Sequence, residues 1–176
     1  MRRVSVQTAR KERTDKKRQV APTINGELKR EIERLAYILD RPVKDVGVCL
    51  CREGLSERDV VNVLATYFQR GSLRFGATVY RGNFENPKLC DMTLGDRTER
   101  VSLRFDRADY EDMRLLADLL DASVARAVGF LLGVSLAHKD VVDRMLARYG
   151  RRHTLTDDMA AEIKRLDRYV RRASYK

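Results

Sequence analysis

The chain repeats itself at an offset of 81 residues, and the two copies align without a gap anywhere from 18 to 150. Leu35 and Ala36 return as Leu116 and Ala117, and Ile38, Leu39 and Asp40 return as Leu119, Leu120 and Asp121. Val43 matches Val124, Leu50 matches Leu131, and Leu55 matches Leu136. Asp59, Val60 and Val61 come back as Asp140, Val141 and Val142, while Val20 and Ile24 align with Val101 and Phe105. Each match is weak alone. The register shared by four successive elements is what constrains the fold.

Each copy opens on a short alternating stretch, residues 19–24 and 100–105. Period-two alternation puts Val101, Leu103 and Phe105 on one face of a strand and Arg100, Ser102 and Arg104 on the other. A helix follows, capped by Asn25 or Asp106, with Leu28, Ile32, Leu35, Ala36 and Leu39 at helical spacing. Its counterpart carries Met113, Leu116, Ala117 and Leu120. A turn at Asp40–Pro42 or Asp121–Ser123 leads into a second helix from about 43 and 124. A third helix is expected after Ser56, where Asp59 three residues on resembles a capping box, and near Asp140. A lone strand has no hydrogen-bond partner, so the two copies are expected to pair their strands into an antiparallel ribbon over interlocked helices.

Charge is unevenly spread. Residues 1–18 carry eight basic side chains against Glu12 and Asp15, and residues 151–176 carry eight against four acids. The stretch 19–150 is neutral, so the whole formal charge of +10 lies in the two ends. Basic ends attract polyanions, of which nucleic acid is the commonest large one in a cytoplasm. No apolar run approaches the ~20 residues of a membrane span. The expected setting is the cytoplasm, associated with a nucleoid or plasmid, with no membrane partner.

Strand, helix, Asp-turn and helix, in this order and at this length, resemble the ribbon-helix-helix DNA-binding fold. The residues carrying the resemblance run from Arg100 to Asp106, then from Leu116 to Asp121, then Ser123 and Val124. The first copy matches through Val20, Ile24–Leu28, Leu35, Ala36 and Asp40–Val43. The similarity covers about 18–55 and 99–136. It implies a mainly α fold with a short two-stranded antiparallel β-ribbon: two ribbon-helix-helix units in one chain forming a pseudo-dimer, plus extra helices.

In that family the ribbon enters the major groove and the start of the second helix holds a phosphate. Carried over position by position, the base readers are Arg100, Ser102 and Arg104 in one strand and Gln19, Ala21 and Thr23 in the other. Arginine can bridge O6 and N7 of guanine, and glutamine can do the same on adenine. Pro22 interrupts the first strand, which a two-stranded ribbon tolerates where the missing N–H would point outward. The implied phosphate contacts are Val43, Lys44, Ser123 and Val124 through backbone N–H groups, with Arg41 and Arg126 as side-chain helpers. Arg2, Arg3, Lys16, Lys17 and Arg18 add contacts from the basic arm.

The remaining features read as structure. Cys49 and Cys51 align with Phe130 and Leu132 and are expected to be small core residues. His138 and His153 lack ligand partners and are expected at the surface. Gly129 and Gly133 suit close helix packing at least as well as a ligand pocket. There is no Gly-rich phosphate loop, no nucleophile with a plausible base and no metal-ligand pattern, so neither an enzyme, a cofactor nor a small-molecule substrate is expected.

The expected organisation is a basic disordered arm over 1–17, copies over 18–70 and 99–150, a linker with a short hairpin over 71–98, and a basic helix over 151–176. The expected partner is double-stranded DNA, with self-association on adjacent sites open, and the expected role is a prokaryotic, plasmid or phage transcriptional repressor. A conjugation accessory protein and an antitoxin-like interaction module are the rival expectations. Pairing within one chain and exchange of strands between chains both remain open here.

Overall fold

The computed structural model describes residues 17–91, 96–150 and 156–174. Among the described residues thirteen elements run in the order β1 (Arg18–Val20), β2 (Thr23–Asn25), α1 (Gly26–Leu39), α2 (Val43–Leu55), α3 (Arg58–Ala65), β3 (Ser72–Phe75) and β4 (Thr78–Arg81). Then come β5 (Arg97–Arg100), β6 (Leu103–Phe105), α4 (Arg107–Leu119), α5 (Val124–Ala137), α6 (Lys139–Tyr149) and α7 (Asp157–Ser174). The protein is mainly helical, with short antiparallel two-stranded sheets. The starts of α4, α5 and α6 each lie 81 residues after those of α1, α2 and α3.

The caps explain these starts. The Asn25 side chain accepts a hydrogen bond from the Leu28 amide at 2.7 Å, and the Asp106 side chain accepts from Asp109 at 2.9 Å. Each satisfies one of the amides that a helix start leaves unpaired. Asp40 and Asp121, at equivalent turns, both take left-handed backbone with φ 49°. The expected capping box at Ser56 is absent. Its hydroxyl instead donates to the Arg52 carbonyl at 3.0 Å, closing α2, and Glu57 begins α3 without a side-chain cap. A Ser hydroxyl reaching back four residues competes with N-capping, and here the helix behind it wins.

The two alternating segments pair with each other. β1 runs antiparallel to β6, with Gln19 opposite Arg104 and Val20 opposite Leu103. β2 runs antiparallel to β5, with Thr23 opposite Arg100. Pro22 sits between the two ladders: its ring is buried and its carbonyl accepts the Val101 amide at 3.2 Å. Pro22 and Val101 thus form a hydrogen-bonded pair whose second bond, from an amide at 22 to the Val101 carbonyl, proline cannot make. The missing N–H faces the partner strand rather than outward, and the ladder breaks there into β1–β6 and β2–β5.

Val20, Ile24, Val101, Leu103 and Phe105 all turn inward and join a hydrophobic core that also takes in α1–α7. One core thus spans both copies. Cys51 lies in it fully buried, and Cys49 is half-buried at its edge. Burial pushes the Cys51 thiol far above its ordinary range, which suits an inert packing residue. The linker carries the expected hairpin, β3 against β4, turning at Gly76 with φ 58°. Its stretch 86–89 is packed on the body. Leu89 is buried, and the buried Gln69 amide donates to the carbonyls of Asn86 at 2.9 Å and Pro87 at 3.2 Å.

The apolar stripe of α7 docks on the body, with Leu166 and Val170 buried and α1 and α5 as its neighbours. Its basic side is partly paired. Arg165 meets Glu162, Arg171 meets Asp167, and Arg172 reaches Glu27 on α1. No single helix among the described residues is long and apolar enough to cross a membrane.

Candidate nucleic-acid interface

Alternation along β1, β2, β5 and β6 leaves one ribbon face outside. Gln19, Thr23, Arg100, Ser102 and Arg104 are exposed on it, and Ala21 is half-exposed between them. These are the six residues expected to face outward, now brought onto one surface. The strands are tied by side chains as well as by backbone: Gln19 Nε2 donates to Ser102 Oγ at 2.8 Å. A glutamine already bonded across the ribbon is held in orientation, which reduces the rotamer entropy it loses on binding.

The electrostatics of this face are simple. Among the described residues neither Arg100 nor Arg104 has an ion-pair partner. The acidic residue of β5, Glu99, is engaged by Lys29 of α1 at 2.7 Å. That hydrogen bond and the charge of Glu99 raise the Lys29 pKa, so the ammonium stays protonated and neutralises the carboxylate beside the ribbon. Lys17 and Arg18 lie exposed at the entry to β1 and extend the positive surface. Arg2, Arg3, Lys16 and His153 lie outside the described residues.

The second helices begin with different chemistry. At α5, the Ser123 hydroxyl accepts from the Arg126 amide at 3.3 Å, leaving Val124 in the first turn. At α2, Pro42 provides no side-chain cap, so Val43 and Lys44 open the helix with amides that geometry leaves without an intrahelical acceptor. Lys44 is exposed. Arg41 is exposed too, but its guanidinium stacks 4.9 Å from the centre of the Tyr149 ring.

Arg126 departs most from its expected place. It turns inward, and one terminal nitrogen donates to the carbonyls of Leu89 at 2.8 Å and Cys90 at 3.0 Å. The linker, whose path the repeat does not encode, captures this side chain. A comparison with protein-family models, with curated proteins and with solved structures found no match to this chain. The functional reading therefore rests on the residues themselves.

Beyond the ribbon, two features had no signal in the sequence. A buried carboxylate, Glu53 of α2, gathers Arg148 at 2.5 Å, the Tyr149 hydroxyl at 3.2 Å and Arg144 at 3.7 Å, locking α6 onto α2. Arg52 forms a two-pronged bond to Asp109 of α4, at 2.5 and 3.1 Å, tying the two copies at the surface. Partners 57 to 96 residues apart leave no trace in local periodicity. Among the described residues, no group of three or more His, Cys, Asp or Glu side chains could hold a metal ion.

Proposed function

We propose that the chain binds double-stranded DNA sequence-specifically as two ribbon-helix-helix units in one polypeptide, with the paired ribbon lying in the major groove. The observation that carries this reading is the exposed ribbon face with two arginines, Arg100 and Arg104, that have no ion-pair partner among the described residues and lie opposite Thr23 and Gln19. A two-stranded ribbon fits the major groove, and arginine reads guanine by a bidentate contact that discriminates by about 1–3 kcal/mol. The start of α2, with Val43 and Lys44, and the start of α5, with Ser123 and Val124, suit phosphates on either side. Arg41 and the basic arm extend that contact. Arg126, already bonded to two carbonyls, is left out of the interface.

One chain supplies both strands, so the reading surface is asymmetric: arginines dominate one strand and neutral side chains the other. The recognised half-site is then non-palindromic, in keeping with a prokaryotic, plasmid or phage transcriptional regulator acting as a repressor. The test is selection from randomised duplexes followed by Arg100→Ala and Arg104→Ala. The expected result is relaxed preference at one guanine for each variant, with little change on random DNA. Equal losses on selected and random duplexes would remove the base-reading assignment.

A further inference from the structure

A cavity of about 470 Å³ lies beneath β2, between α1, α5 and α7. This volume falls within the range of small-molecule sites. Its floor is α5. Phe130 and Val134 line it together with Ile24 and Leu28, and Gly129 and Gly133 remove side chains from the same helix face. A Cβ on Gly133 would meet Leu28 at 3.7 Å, and one on Gly129 would meet Pro22 at 3.5 Å and Ile24 at 3.6 Å. These are ordinary contact distances, so a methyl group would fit at either position without displacing a neighbour, whereas a larger side chain would enter the cavity.

Two of the residues that line this apolar space, Arg126 and His138, each carry a nitrogen without a partner. Arg126 Nε and His138 Nδ1 are both buried and unbonded. His138 was expected at the surface, but it is half-buried at the junction of α5 and α6. An orphaned buried donor or acceptor is costly unless something else completes it. The two residues sit twelve positions apart, about 18 Å along the helix. Among the described residues no carboxylate pairs with Arg126, so the cavity has a cationic end, an apolar middle and a hydrogen-bonding end. Tyr169, on the wall, stays a neutral phenol, its pKa pushed up to about 12 by burial and by Glu27 and Glu31.

We propose that this cavity binds a slender amphipathic carboxylic acid, with its carboxylate on Arg126, its chain along Gly129 and Gly133, and a polar far end on His138. The binding stands apart from the DNA reading, because the site is complete without DNA and is tested in its absence.

The probes are ω-hydroxydodecanoate, dodecanoate and dodecanol, titrated calorimetrically into the full chain below their micelle concentrations. The expected result is saturable binding of ω-hydroxydodecanoate at one per chain, with dodecanoate weaker and dodecanol weaker than either acid by about tenfold or more. Arg126→Gln, which keeps an amide for the linker carbonyls, should bring the acid and the alcohol to equal affinity. Gly133→Leu should fill the cavity and abolish binding while circular dichroism stays unchanged. Three results would each overturn the proposal: no saturable binding, dodecanol as tight as the acids, or dodecanoate as tight as its ω-hydroxy form. If Gly133→Leu fails to fold, the comparison of acid and alcohol on the unaltered chain still decides.

Discussion

Gly54 and Ser135 occupy equivalent positions of the two copies and meet across the packed faces of α2 and α5. A Cβ built on Gly54 would fall 1.9 Å from the Ser135 hydroxyl oxygen and 2.8 Å from its Cβ. The contact is possible only because one copy has lost the side chain that the other keeps. The Ser135 hydroxyl is buried there without a hydrogen-bond partner.

Gly54→Ala is therefore expected to destabilise the protein by about 1–3 kcal/mol, the usual cost of overpacking, although alanine is the better helix former. Ser135→Ala should be neutral or stabilising, since it removes an unsatisfied buried hydroxyl. In the double variant the losses should not add, because the two positions share one contact. Urea denaturation of the three variants checks this.

Lys44→Ala should weaken binding to selected and random duplexes alike. A phosphate contact carries no base information, and its loss lowers the slope of log affinity against log salt by about 1. Binding isotherms over a salt series measure both quantities.

Removing residues 1–16 takes away six basic and two acidic side chains while leaving Lys17 and β1 in place. Affinity should fall uniformly across sequences and the salt dependence should flatten. The order of preference among duplexes, measured by competition, should survive.

Acid should loosen the junction of α3 and α6. The Arg144 guanidinium bonded to Glu57 holds that carboxyl below the usual glutamate range. A depressed folded-state pKa gives stability above the unfolded value, lost as pH falls through the folded one. Denaturation midpoints should thus drop between about pH 5 and pH 3, and Glu57→Gln should show a shallower drop.

The sequence alone determined the strand faces, the capped helix starts at Asn25 and Asp106, the Asp40 and Asp121 turns, and the hairpin at Gly76. All of these depend on contacts within a few residues, which periodicity and side-chain type encode directly. Exposure of Arg100 and Arg104 was legible for the same reason. Where the contest was between two local options, as at Ser56, composition could not say which hydrogen bond would win.

Only the tertiary structure decided the rest: the register of the paired strands within one chain, the seating of Pro22 over α5, the inward turn of Arg126, the burial of Glu53 and the space over Gly133. Each is fixed by atoms far apart along the chain. The capture of Arg126 by the Leu89 and Cys90 carbonyls shows why: the linker has no counterpart in the repeat, so its position had to come from packing.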